Sequence, residues 1–293
     1  MGTRVGAADR QDRTAWAFLT PALTILFVFT LLPVLLALLA SLFDVPVRGE
    51  WSFVGLDNYR EAATDPVMHR SARNTLVFSI LAIPASVLLG LGLALLVESF
   101  ARRRTLYRTL LFLPVTANLV AMAIVFQWLF SVRGGVVNEV LAVIGLAPID
   151  FLRLESTALP TLAVVGIWRF AAFNFVIYLA GLSAIPDTVH ESAAIDGVRG
   201  PAKLVTVIWP LLRPSTVFAT VITFIQSIQV FELVSVMTEG GPLGATETWL
   251  FTIWQQGFQF FRLGYASAIS FLLLVVVLVA GVLRRRSLVR GVN

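Results

Sequence analysis

The stretch Glu191-Ser192-Ala193-Ala194-Ile195-Asp196-Gly197, followed by Val207-Ile208-Trp209-Pro210-Leu211-Leu212, separates two long apolar runs at residues 158–183 and 215–237. Helix punctuation surrounds it. Pro186 and Asp187 suit a helix start, because proline is tolerated in or just before the first turn and an aspartate accepts an orphan backbone N–H. A short helix then runs through residues 189–196, Gly197 supplies the left-handed residue that closes it, and Gly200-Pro201 opens a second short helix through residues 203–208. Glu191 and Asp196 offer charge to basic groups on a partner, while Val189, Ala193 and Ala194 offer a small-residue surface for close approach. The segment is either a docking element for a soluble partner or an amphipathic connection between spans.

The rest of the chain supplies the setting. Hydrophobic residues make up 58% and charged residues 13%, and the mean hydropathy is +0.86, outside the balance of a soluble domain. A hydrocarbon layer about 30 Å thick takes roughly 20 apolar residues per helical crossing. Stretches at residues 16–43, 74–98, 109–131, 158–183, 215–237 and 263–283 meet that length with few charges. The expected fold is all-α, a polytopic membrane protein with six transmembrane helices forming a single domain over residues 1–293, with the Glu191 loop at residues 184–214.

Arginine and lysine are retained in cytoplasmic loops. Arg4, Arg10 and Arg13 precede the first span, and Arg102, Arg103, Arg104 and Arg108 lie between the second and third. Arg199, Lys203 and Arg213 follow the fourth, and Arg284, Arg285, Arg286 and Arg290 follow the sixth. The alternate loops dilute their arginines with Asp44, Glu50, Asp57, Glu61, Asp65, Glu139, Asp150, Glu155, Glu239 and Glu247. Both termini and the Glu191 loop are therefore expected in the cytoplasm, and the first apolar run reads as a retained span. The net charge of +5 sits in short juxtamembrane clusters, a pattern for topology and anionic membrane lipids rather than nucleic acid.

Catalytic chemistry is not visible. The chain has no cysteine and two histidines, His69 in an outer loop and His190 in the cytoplasmic loop, with no H-E-x-x-H motif. No metal site, G-x-S-x-G elbow or phosphate-binding G-x-x-x-x-G-K-[ST] loop is present. Gly90 and Gly92 lie in an apolar span, where small residues serve close helix packing.

With sidedness assigned, Glu191, Ala193, Ala194, Asp196, Gly197 and, after about a dozen residues, Pro210 resemble the E-A-A-x-x-D-G loop of the membrane subunits of binding-protein-dependent ABC importers. Ser192, Val198, Leu204 and Trp209 depart from that pattern. Phe53-Val54-Gly55-Leu56-Asp57-Asn58-Tyr59, Thr238-Glu239-Gly240-Gly241-Pro242, Thr246-Glu247-Thr248 and Gly264-Tyr265-Ala266-Ser267-Ala268 look like the carbohydrate-uptake branch, the maltose and glycerol-3-phosphate permease type. The resemblance implies a type I importer permease fold in a bacterial or archaeal plasma membrane. It further implies a coupling helix at Glu191 seated on a nucleotide-binding subunit, and a gate loop at Gly240, Gly241 and Pro242 facing an extracytoplasmic substrate-binding protein. Implied partners are a second, homologous permease, two ATPase subunits, which bind the ATP and magnesium, and that binding protein; this chain itself binds no cofactor and is no enzyme.

Arg169 stands about 18 Å from either end of its helix, near the midplane. Gln226, Gln229 and Glu232 are expected on one face of an unbroken fifth helix, with Asn118, Gln127 and Asn174 as further polar groups. Either they line a hydrophilic solute path, with Trp168 or Phe224 stacking on a sugar, or they join helices. An ATP-independent channel or secondary transporter is the competing class, but neither repeated halves nor broken midplane helices are apparent in the sequence. A membrane glycosyl- or phosphotransferase would need paired carboxylates or a metal motif. The solute, whether sugar, oligosaccharide, polyol or glycerol phosphate, is left open.

Overall fold

In lipid every backbone N–H and C=O must find its partner within the segment, so apolar runs of this length fold as helices. The computed structural model describes residues 16, 18–46, 48–99 and 104–289. Arg4, Arg10, Arg13, Arg102, Arg103 and Arg290 lie outside them, as do the side chains of Arg104 and Arg284–Arg286. Helices are α1 (Phe18–Ala40), α2 (Asp57–Thr64), α3 (Pro66–Ser99), α4 (Arg104–Thr116), α5 (Leu119–Leu129), α6 (Val136–Val143) and α7 (Glu155–Ser183). They continue as α8 (Asp187–Ile195), α9 (Gly200–Leu211), α10 (Arg213–Ile228), α11 (Glu232–Met237), α12 (Trp249–Trp254) and α13 (Leu263–Val289). A two-residue antiparallel ladder pairs β1 (Phe43–Asp44) with β2 (Ser52–Phe53).

Among the described residues four helices are long and apolar enough to cross a membrane, and two bent pairs bring the number to six if each is one span. The pairs are α4 with α5, bent by 98°, and α9 with α10, bent by 69°. The third expected span is thus not a straight helix. Pro114 lacks an N–H inside α4, and extended Asn118 (φ −63°, ψ 126°) starts a new helix by accepting the Ala121 N–H at 3.1 Å.

The fifth expected span is broken too. Its helix stops at Ile228, Gln229 and Phe231 leave helical geometry (φ −92°, ψ 18° and φ −132°, ψ −55°), and α11 begins at Glu232. The Val230 carbonyl, released from the helical ladder, accepts the Thr248 hydroxyl at 2.9 Å. In α9 the helix widens to a π turn over Leu204–Ile208, where the Trp209 N–H reaches Leu204 O. This turn accommodates Pro210, which has no N–H to donate and would crowd the carbonyl four residues back.

The chain separates into two compact units: Met1–Thr64 with Ile253–Leu278, and Asp65–Thr252 with Val279–Asn293. The second is organised around α3 packed along α7 and flanked by α10. Gly90 makes that approach possible, since a Cβ there would stand 2.6 Å from the Asn174 Cβ and 2.9 Å from the Phe175 N, whereas Gly92 faces open space. Around this crossing Val87, Leu91, Ala94, Val97, Phe175, Tyr178, Leu182, Leu212 and Ala219 form a buried apolar cluster.

In the first unit, the Asn58 amide donates to the carbonyls of Ser41 at 2.8 Å and Phe43 at 3.0 Å, tying α2 to the end of α1. Arg262 binds both oxygens of Glu61 at 2.6 Å and lies 4.6 Å over the Tyr265 ring. Gly264 passes so close to the Phe43 carbonyl that a side chain would collide with it. The motifs at residues 53–59 and 264–268, distant in sequence, therefore meet as one packed unit.

Candidate functional site

Three regions of the second unit carry polar chemistry. The first is the Glu191 loop. Pro186 (φ −63°, ψ 144°) precedes α8, and Gly197 (φ +73°) closes it. The Gly197 N–H bonds to Ala194 O at 3.2 Å and the Val198 N–H to Ala193 O at 2.9 Å, a paired closure that needs the left-handed residue glycine supplies. Ala193 is buried beneath the helix, while Glu191, Ala194, Ile195 and Asp196 point away from the chain. Ile195 is 86% exposed; its place one turn from Glu191 makes it part of the outward face, a residue the sequence reading passed over. Its i, i+4 spacing from Glu191 was the signal that marks it.

Behind this loop the chain is anchored. Leu212, fully buried at the bend between α9 and α10, packs into the α3–α7 cluster, with Ile208 and Trp209 against it; Pro210 is half-buried just before the bend. From Arg213 to Gln226, α10 extends about 20 Å from this anchor.

At that distance lies the second region, a cavity of about 170 Å³ lined by Leu119, Arg169, Phe170, Gln226, Gln229, Val230, Glu232 and Leu233. The break after Ile228 gathers the polar groups: Gln226 and Gln229 come from the end of α10 and its exit, and Glu232 from the restart at α11. The expected continuous polar stripe is replaced by a corner, yet Arg169, Gln226, Gln229 and Glu232 share one space.

The remaining midplane candidates have other settings. Asn174, fully buried, donates to Ser86 Oγ at 3.3 Å and accepts from Thr223 Oγ1 at 3.1 Å, which joins α7 to α3 and α10. Asn118 caps α5. Trp168 packs edge-on against Phe126 with centroids 5.2 Å apart, and Phe170 rather than Trp168 or Phe224 lines the cavity.

The third region is the loop after α11. Glu239, Gly240, Leu243 and Gly244 take positive φ of 52°, 82°, 47° and 77°, and the Gly241–Pro242 bond is cis. A Cβ on Gly240 would lie 2.7 Å from the Phe251 ring. Thr246 ties the turn by accepting from or donating to Thr238 Oγ1 at 2.8 Å and by its contact with Gly241 O at 2.7 Å. Asn74 of α3 donates to Gly244 O and Glu247 O, both at 2.9 Å, and Thr75 Oγ1 accepts the Trp249 N–H at 2.8 Å. Gly241 and Pro242 also line an open cleft of about 660 Å³ with Gln127, Phe130, Arg133 and Arg153.

The described residues thus form a multi-helix protein with several candidate membrane spans, a polar cavity at a helix break and an exposed polar loop ahead of the α9–α10 bend. The model of the family described as "Binding-protein-dependent transport system inner membrane component" matches residues 86–288, and the chain belongs to this family, the permease components of ABC importers. It is 33% identical to the lactose transport system permease protein of Rhizobium radiobacter over 93% of each chain. Identity with the trehalose/maltose transport system permease protein of Thermococcus litoralis is 30%, over 92% of this chain and 91% of the relative. A bacterial alginate ABC transporter, crystallised in complex with an alginate pentasaccharide-bound periplasmic protein, superposes with a TM-score of 0.81 at 25% identity, over 97% of this chain and 98% of that one. The protein is thus a multi-pass inner-membrane permease with the fold of ABC importer permeases.

Proposed function

We propose that this chain is a transmembrane permease subunit of an ATP-driven importer for a sugar or a related polyol or sugar phosphate. The gathering of Arg169, Gln226, Gln229 and Glu232 in one cavity, within a chain whose relatives are named as sugar permeases, carries the reading. Amides, guanidinium and carboxylate are the groups that exchange hydrogen bonds with hydroxyls. Both termini lie in the cytoplasm, as does the loop of Glu191, Ala193, Ala194, Asp196, Gly197 and Pro210, which seats on one of two ATPase subunits.

Those subunits bind ATP and magnesium; this chain hydrolyses nothing. A second, homologous permease completes the path, and an extracytoplasmic binding protein delivers solute beside the loop of Gly240, Gly241 and Pro242. Closure of the ATPases pushes on α8, and the Leu212 anchor passes the movement to α10, whose far end carries Gln226 and Gln229. Packed side chains and rigid helices of this kind are the elements through which coupling between distant sites is carried.

Proteoliposomes holding the whole importer test this: uptake of radiolabelled sugar should require ATP, the ATPase subunits and the binding protein together. Uptake by this chain without ATP or ATPase would instead establish a channel or secondary transporter.

A further inference from the structure

The cavity at the α10–α11 break holds two opposite charges that no ion pair joins. Among the described residues the ion pairs are Arg60–Asp57, Arg70–Glu247, Arg108–Glu98 and Arg262–Glu61, which leave Arg169 and Glu232 apart although both face the same space. Arg169 and Glu232 are each half-buried. Charges withdrawn from bulk water persist when something answers them, and here the polar neighbours sharing the space are the side-chain amides of Gln226 and Gln229.

We infer that Glu232 is a specificity-determining residue that makes this cavity select neutral, hydroxyl-rich solutes and reject anionic ones. The inference rests on the cavity being the solute site. The donor and acceptor inventory leads to it. Arg169 only donates hydrogen bonds, Glu232 as a carboxylate only accepts them, and Gln226 and Gln229 do both. A sugar hydroxyl also does both, so neighbouring hydroxyls can donate to Glu232 while accepting from Arg169, and every group is satisfied. A uronate carboxylate or a phosphate only accepts; paired with Arg169, it brings a second negative charge into the space that Glu232 faces, and that repulsion opposes its binding whatever the hydroxyls of the same solute do.

The dimensions keep the two charges close. A space of about 170 Å³ holds the liquid volume of about six waters at roughly 30 Å³ each, the scale of one saccharide ring. It is a half-open space whose volume equals that of a sphere about 7 Å across, so a solute charge held at Arg169 lies within Coulombic reach of Glu232. Without the carboxylate, the same cavity would present a guanidinium and two amides, an anion site. Glu232 is the repulsive element against anionic solutes, one of the two routes by which a site discriminates between partners.

The test is equilibrium binding to the whole permease–ATPase complex in nanodiscs, without the binding protein so that its own selection does not intervene. Radiolabelled glucose and galactose are each compared with glucuronate and galacturonate, and glucose with glucose 6-phosphate. The wild type should favour the neutral member of each bound pair by about tenfold or more, and Glu232→Gln should erase or reverse that preference. A wild-type preference for the anionic members, or an unchanged preference in Glu232→Gln, overturns the inference. Gln226→Leu and Arg169→Leu separate the two readings: if neutral binding survives both unchanged, the cavity is not the solute site and the functional reading of it fails. If they abolish binding while Glu232→Gln leaves selectivity intact, the site stands and the role of Glu232 falls.

Discussion

Arg70, one turn into α3, directs Nε at 3.1 Å and Nη2 at 2.8 Å to the same oxygen of Glu247, 177 residues away. Glu247 is 14% exposed and Arg70 38%, so the pair is partly shielded, and with Asn74 and Thr75 it clamps the loop after α11 onto the start of α3. Two charge-assisted bonds hold a loop in which Glu239 and Gly240 are both left-handed.

Arg70→Ala should therefore loosen this loop and cost about 1–3 kcal/mol, the range for an ionic hydrogen bond lost from a shielded acceptor. Protease sensitivity at residues 238–248 should rise, and Arg70→Lys should restore only part of the protection, because a single ammonium cannot present two donors in a fork. Equal protease resistance in wild type and Arg70→Ala would show that the pair does not hold the loop.

Gly90 and Gly92 give a paired prediction. Gly90→Val places atoms against Asn174 and the Phe175 backbone, and overpacking of this kind costs about 1–3 kcal/mol or more. Gly92→Val points into open space. Thermal denaturation in detergent, followed by loss of the monodisperse peak, should show Gly90→Val well below wild type and Gly92→Val near it. The reverse order would contradict the α3–α7 packing.

Asn174→Leu removes both the Ser86 and Thr223 bonds. Interhelical hydrogen bonds in membranes are worth about 0.6–2 kcal/mol, so the expected result is a modest loss of thermal stability with the solute profile unchanged. A changed solute preference would move Asn174 from helix joining into the path.

How much of this was legible beforehand depends on what carries the signal. Four of the six apolar runs, the Pro186 start and the Gly197 closure are local features that the structure follows, whereas the third and fifth runs are broken. The helix breaks are less visible, because Ala117 and Val230, which sit at them, are apolar like the spans they interrupt. Asn118 after Pro114 was a readable cap, but Gln229-Val230-Phe231 contains no glycine or proline, and its break depends on Thr248 arriving from another segment to take up the Val230 carbonyl. Broken helices, absent from the sequence reading, are thus part of this permease. The pairs Arg70–Glu247 and Glu61–Arg262 were equally hidden: each residue looked like ordinary loop charge until folding brought it to its partner. The cavity residues stood out in the sequence as polar groups within apolar runs, while their separation into a cavity set and the Asn174 bridge required the geometry.

The most direct measurement is ATP-driven uptake by the whole importer carrying Glu191→Lys. The outward placement of Glu191 on α8 predicts that charge reversal lowers uptake by about tenfold or more, equivalent to at least about 1.4 kcal/mol of coupling, while membrane insertion and the amount of folded permease stay at the wild-type level. Uptake at the wild-type rate in that variant would contradict the coupling role of the loop.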